Sequence, residues 1–212
     1  MEDSILLMLS GGLDSSYLLY YLLVDTNYEI HTHHISLRYD VEPRWAEEDT
    51  ATNNVINYCQ KIRNFSSSES RFDFRGFGHV GWDSDLQVLV AARVAPNLRK
   101  KVRVAIGWTC DSVNKLIVKS RLERNVTANI WTACRNSVDK PERRKLLNEK
   151  LWFPLVDMGM YKKDILRNCP DDLVDLTWSC RKPVKKDGKS VPCGKCFVCK
   201  EILAARKSIL ST

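Results

Sequence analysis

Two stretches of the chain carry residue types at spacings that suit chemistry. The first is Ser10-Gly11-Gly12-Leu13-Asp14-Ser15-Ser16, set between apolar runs at 5–9 and 17–24. That order reads as strand, tight turn, helix. Two glycines let the backbone approach a ligand with no Cβ in the way. The unpaired N–H groups and dipole of the new helix favour an anion. The hydroxyls of Ser10, Ser15 and Ser16 can donate to phosphate oxygens. A phosphate or pyrophosphate pocket is expected there, with an ordinary strand–helix turn as the bland alternative. The glycine spacing is neither that of a P-loop nor that of a dinucleotide fold.

The second stretch is the cysteine tail. Cys180, Cys193, Cys196 and Cys199 form C-x12-C-x2-C-x2-C. The Cys193-Gly194-Lys195-Cys196 knuckle turns both of its sulfurs inward, and Cys199 opens a helix expected to run to about residue 209. Four thiolates at this spacing can surround one ion at ~2.3 Å, as structural zinc is held. Lys182, Lys185, Lys186, Lys189, Lys195 and Lys200 would offset the negative charge of such a centre. The spacing is not a ferredoxin run. The set is closed, so the expected role is one structural Zn2+ per chain, supplying folding energy to a polar tail. The remaining cysteines, Cys59, Cys110, Cys134 and Cys169, are scattered; the first three lie in or beside apolar segments and read as buried small residues.

The elements that position these groups follow from the pattern between them. Strands are expected at 5–9, 29–37, 102–107 and 151–156, with a possible wet-faced strand at 71–77. Helices are expected after the turn over 17–24, and at 43–62, 83–94, 111–122, 162–168 and 171–176. The serine-rich stretch 64–70 reads as a loop, and 130–132 as short and irregular. Such alternation makes an α/β fold, a doubly wound parallel sheet with ligands at the carboxyl ends of its strands. That puts Gly11, Gly12, the end of the second strand at Ser36, and Gly107 along one rim. The reading gives one α/β domain over 1–176 and a zinc-binding tail with a terminal helix over 177–212, packed on the same domain.

With 212 residues, the chain has room for one such domain. No apolar run approaches the ~20 residues of a membrane helix. Met-Glu-Asp followed by a strand shows no signal peptide, and a cytoplasmic protein is expected. Thirty-three basic residues against 26 acidic give +7, with clusters at 99–103, 140–150 and 181–189. That balance suits anionic partners: nucleotides, an acidic small molecule or, secondarily, nucleic acid. Each cluster taken singly reads as solvated surface.

The opening heptapeptide resembles the Ser-Gly-Gly-x-Asp-Ser signature of the PP-loop, or N-type, ATP pyrophosphatases. Joined to Thr177-Trp178-Ser179-Cys180 and the Cys193–Cys199 knuckle, it resembles the 7-cyano-7-deazaguanine (preQ0) synthase family over nearly the whole chain. The resemblance implies a HUP-like, adenine nucleotide α-hydrolase-like fold and a C–N ligase of queuosine biosynthesis. Its substrates would be 7-carboxy-7-deazaguanine, ammonia and ATP with Mg2+. It implies triphosphate contacts from Ser10, Gly11, Gly12, Asp14, Ser15 and Ser16; Leu9 and Leu13 beside them and the rim residues Ser36 and Gly107 complete the expected nucleotide contacts. It implies catalytic roles for Ser10, Asp14 and Lys163, with Lys162 competing for the phosphate. The assembly is left open, a homodimer included.

The chain departs from the family pattern at 81–87 and 112–115, where the acceptor pocket is expected, and Trp45 replaces a histidine next to Arg44. Trp82, Trp108 and Arg121 are candidates to stack on or pair with a deazapurine. The departures keep two alternatives in play. One is the same adenylation of another acceptor, a tRNA base or a deazaguanine joined to another amine. The other is an inactive zinc-tailed protein that binds nucleic acid.

Overall fold

The computed structural model describes residues 4–78, 83–98, 100–111 and 117–211, and for 117–125 the backbone course alone. In chain order the elements are β1 Ser4–Met8, α1 Leu13–Asp25, β2 Ile30–Arg38, α2 Trp45–Cys59, β3 Ser66–Asp73 and α3 Asp83–Val94. A 3-10 turn at Ala95–Leu98 leads into β4 Val102–Ile106 and α4 Ile117–Asn136. Four short helices follow: α5 Pro141–Arg144, α6 Pro154–Asp157, α7 Lys162–Asn168 and α8 Asp171–Leu176. The tail holds a hairpin, β5 Val184–Lys186 and β6 Lys189–Val191, then α9 Phe197–Leu210.

Strands β3-β2-β1-β4 form one sheet, every pairing parallel. β1 is buried along its length because both faces of the sheet are covered. Ile5 and Leu7 point into a core with Leu18, Leu19 and Leu22 of α1, Val55 and Cys59 of α2, and Ile165 of α7. Leu6 and Met8 point the other way, onto Val88, Ala91 and Ala92 of α3 and Trp131 of α4. The period of two in Ile5-Leu6-Leu7-Met8 thus feeds two cores, each such side chain contributing about 1.5–3 kcal/mol. The sheet is doubly wound as expected. Strand order reverses between β1 and β4, so the turn after β1 sits at the switch point where such sheets bind ligands.

Three expectations about elements fail and one element was not expected, each for a local reason. Residues 64–70 are mostly strand β3, because His31 and His33 of β2 bond the hydroxyls of Ser66, Ser68 and Ser70 across the ladder. Residues 130–132 lie inside α4, anchored by the indole N–H of Trp131 on the carbonyls of Asn148 and Glu149. The strand expected at 151–156 shrinks to a single bridge, Ala105 with Trp152, before α6 begins. Pro154 has no N–H for a ladder and suits a first helical position. The hairpin β5–β6 was not anticipated, although Asp187-Gly188 adopts the two positive φ values, 50° and 75°, of a tight hairpin turn. Among the described residues, no helix is long and apolar enough to cross a membrane.

Candidate nucleotide site and metal centre

The turn after β1 is closed by its neighbours as well as by its own sequence. Gly11 has φ +70°, and a Cβ there would lie 2.6 Å from Thr52 Oγ1 and 2.7 Å from Thr52 N. Helix α2 therefore presses directly on the turn, and only glycine fits. On the other side, a Cβ on Gly107 would lie 2.8 Å from the Cα of Ser15, so the end of β4 abuts the start of α1. Gly12 caps α1 in an extended conformation.

Hydroxyls hold the amides of this turn. Ser10 N–H donates to Ser15 Oγ (3.2 Å), Gly12 N–H to Ser10 Oγ (3.4 Å) and Leu13 N–H to Ser179 Oγ (3.2 Å). Such partners yield readily to a phosphate oxygen. Ser10 and Ser15 also share a bond of 3.0 Å between their hydroxyls. Ser16 Oγ is buried with no partner among the described residues, an orphan that a ligand or water would satisfy. The side chains of Leu9 and Leu13 enter the core, so they can serve a ligand only through their backbone.

Beneath the turn stands a polar support that the sequence reading missed. His34 bridges Leu9 O (3.0 Å) and Asp49 Oδ1 (2.8 Å). Burial alone would lower the His34 pKa, but the bonds to Asp49 and Leu9 outweigh it and raise it. Burial works against ionised Asp49 too, and its bonds from His34 and Ser36 prevail, holding its carboxyl below the usual range. Ser36, expected on the ligand rim, is 1% exposed and donates to Asp49 (2.9 Å). It props the turn and does not line it. The alternation Thr32-His33-His34-Ile35-Ser36 puts His34 and Ser36 on one strand face, and Asp49 and Thr52 share a helix face. Those two periods were the available signal.

The lysine that meets the turn is Lys162, not Lys163. Lys162 is 5% exposed, and its ammonium donates to both oxygens of Asp14 (2.9 and 2.8 Å). Its own N–H donates to Asp111. Lys163, one position further round α7, carries its ammonium over the Tyr161 ring, 5.9 Å from the centroid. A capping box between Tyr161 and Asp164 fixes where α7 starts, and so which lysine points inward. A buried ammonium needs a partner, and Asp14, more open to solvent, is the one that an incoming polyphosphate could replace.

The cysteine tail starts at the same place. Trp178 N–H donates to Gly11 O (2.9 Å), Ser179 receives the Leu13 amide, and Cys180 follows. The sulfurs of Cys180, Cys193, Cys196 and Cys199 all lie within 4.8 Å of one another. Backbone amides point at them: Cys193 N–H at Cys180 Sγ (3.2 Å), Lys195 and Cys196 N–H at Cys193 Sγ (3.4 and 3.2 Å). Those two amides pull the Cys193 thiol down to about 6. Gly194, at φ +67°, makes the turn that aims them. This group can hold a metal.

A knot of charge ties the tail to the sheet. Arg44, buried, pairs with Glu42 (2.7 Å), Glu48 (2.7 Å) and Asp83 (2.5 Å), while Arg181 pairs with Glu42 (2.7 Å) and Asp83 (3.0 Å). Burial pushes the Glu48 carboxyl up to about 7 against the pull of Arg44. Arg44 therefore organises carboxylates from three segments. Glu47, beside it, instead accepts from Ser190 of β6. Trp108 packs on Phe153, ring centroids 5.2 Å apart. Trp82, residues 112–115 and the side chain of Arg121 lie outside the described residues.

No family model matches the chain, and no curated protein does. Among solved structures, its fold is similar to that of the U34-tRNA thiolase NcsA from Methanococcus maripaludis, determined with its 4Fe-4S cluster. The TM-score is 0.53 at 15% identity, over 99% of this chain and 66% of that one. The chain thus spans just under two thirds of that protein's length. At this identity the likeness establishes the shared fold.

Proposed function

We propose that the chain binds ATP at the turn 10–16 and cleaves it between the α and β phosphates, passing AMP to an acceptor oxygen. One observation carries this reading. A buried ammonium, Lys162, is held by Asp14 beside a two-glycine turn in which hydroxyls hold the amides of Ser10, Gly12 and Leu13. The parts suit a polyphosphate and the charge that develops on departing pyrophosphate. Ser10, Ser15 and the amides of Gly12 and Leu13 would take phosphate oxygens. Lys162 would follow the negative charge, freeing Asp14 to meet Mg2+. The fold shared with a tRNA thiolase supports a place in the PP-loop superfamily.

For the acceptor, the family resemblance points to 7-carboxy-7-deazaguanine. Its carboxylate oxygen would attack the α-phosphorus as the α–β bond breaks and pyrophosphate leaves. Ammonia would then attack the acyl carbon, AMP would depart with that oxygen, and an amide would remain. A second ATP would take the amide oxygen in the same way, and loss of AMP and protons would leave the nitrile. The work asked of the protein is chiefly alignment.

The four cysteines would hold zinc. Thiolates around one tetrahedral ion at ~2.3 Å lie about 3.8 Å apart. Sulfurs within 4.8 Å of each other suit a single ion better than a cluster that gives each thiolate its own iron. Bound zinc would fix the tail and, through Trp178 and Ser179, brace the turn.

A second reading makes a base in RNA the acceptor. It is favoured by the fold shared with a tRNA thiolase and by the departures at 81–87 and 112–115. One experiment separates the two. The protein is incubated with ATP, Mg2+, ammonium and 7-carboxy-7-deazaguanine, and AMP, pyrophosphate and product mass are measured. AMP with a product lighter than the amide by one water supports the nitrile synthase. AMP formed only when RNA is added supports the second reading. ADP in place of AMP overturns both.

A further inference from the structure

The charge of the chain is unevenly placed. Residues 177–212 hold nine basic side chains and two acidic ones, which accounts for the whole net charge of +7. The preceding 176 residues balance 24 basic against 24 acidic. Lys182, Lys186, Lys189, Lys195 and Lys200 are all exposed, and no ion pair to them is found among the described residues.

The hairpin sorts these charges by face. Lys185 stands opposite Ser190, which bonds Glu47, so that face looks toward the sheet domain. Lys186 stands directly opposite Lys189 on the other face, with Val184 opposite Val191 beside them. Like charges paired across a ladder cost stability, and nothing among the described contacts of the fold repays that cost. Phe197, in the cysteine knuckle, is 60% exposed, with the Arg181 guanidinium 5.6 Å from its ring centroid. The exposed hairpin lysines offer contacts for phosphates, and the open ring of Phe197, elsewhere in the same tail, offers one for an unstacked base.

We propose that RNA docks on this tail. Phosphates meet Lys182, Lys186 and Lys189, and an unpaired base stacks on Phe197. An acidic polypeptide would satisfy the lysines but has no use for the ring. Duplex DNA keeps its bases stacked, whereas folded RNA presents them in loops. The tail leaves the sheet domain at the turn itself, where Trp178 and Ser179 bond Gly11 and Leu13. Docking on the tail and the candidate nucleotide site are thus linked through one short segment of chain, 178–180. Its bearing on catalysis rests on the ATP reading and favours the RNA acceptor; the docking stands without it.

The test uses the full chain with its metal and a fluorescein-labelled RNA stem-loop with a seven-base unpaired loop, followed by anisotropy across a salt series. The proposal predicts saturable binding that weakens with salt. Lys182→Ala/Lys186→Ala/Lys189→Ala should weaken it at least tenfold and flatten the salt slope by about 2, at roughly 0.7 per lost phosphate contact. Lys140→Ala/Lys145→Ala/Lys150→Ala removes equal charge elsewhere and should change binding less than threefold. Phe197→Ala should weaken binding roughly tenfold, with Phe197→Tyr restoring it. Metal content and melting temperature check that each variant is folded. Absence of binding at low salt overturns the proposal, as does equal loss in both lysine triples. Competition by polyglutamate as strong as by unlabelled RNA, with no effect of Phe197→Ala, assigns the surface to acidic protein and also overturns it. AMP release in the absence of RNA reports on the ATP reading separately.

Discussion

The turn after β1 and the cysteine tail touch each other, yet they are built from different materials. The turn is shaped by backbone packing. Thr52 presses on Gly11, Ser15 on Gly107, and the fully covered strand β1 leads into it. The tail has little core of its own. Among its described residues only Cys180 and Cys199 are buried, and it is held by the packing of α9 on α7, by the Arg44–Arg181 knot, by Ser190 on Glu47 and by two hydrogen bonds to the turn. Geometry in the turn is therefore set by the sheet, while order in the tail would depend on a metal held by its four cysteines. The contrast teaches that one should survive damage to the other.

The largest effect should come from removing the metal. A strong chelator, or Cys196→Ser, takes away a binding energy on the order of 10 kcal/mol in comparable small sites. Amide hydrogen exchange should rise throughout 180–199 and stay slow in β1. Fast exchange in β1 as well would erase the distinction between the two regions.

Gly11→Ala attacks the other side. The new Cβ overlaps Thr52 in a left-handed backbone, at a cost of about 1–3 kcal/mol. ATP affinity, measured by calorimetry, should fall more than tenfold while metal content holds. A variant that bound ATP normally would mean that the turn is not the site. Lys162→Met should act more narrowly, slowing AMP formation about 10²-fold with the melting temperature changed little, since Asp14 keeps some contact with solvent. Lys163→Met should leave the rate nearly unchanged.

The smallest effect lies on β2, where the His33 ring bonds Ser68 and Ser70 of β3. Burial, with His31 and His34 nearby, holds His33 down to about 4. The unfolded chain binds that proton near 6.5, so the stability from neutral His33 is complete above 6.5 and is lost as the pH falls toward 4. The slope amounts to a loss of order 2 kcal/mol. Urea midpoints at pH 7 and pH 5 should differ more for the natural protein than for His33→Gln.

How far these features were legible depended on their range. The turn and the four cysteines announced themselves because each is written in a few consecutive residues. β1, β4, α3, α7 and α8 followed from short apolar periods. Residues that act across the fold did not. Ser66, Ser68 and Ser70 looked like loop composition until the rings of His31 and His33 supplied their partners. Ser36 suited a ligand rim until Asp49 claimed its hydroxyl. The choice between Lys162 and Lys163 turned on where Tyr161 and Asp164 start a helix, one residue of phase that spacing alone could not decide.

The central claim is tested most directly by isotope exchange between labelled pyrophosphate and ATP, run with Mg2+ and either 7-carboxy-7-deazaguanine or RNA. Reversible adenylation predicts label entering ATP only when an acceptor is present, and its disappearance in Gly11→Ala. No exchange with either acceptor, or exchange that Gly11→Ala leaves intact, would contradict it.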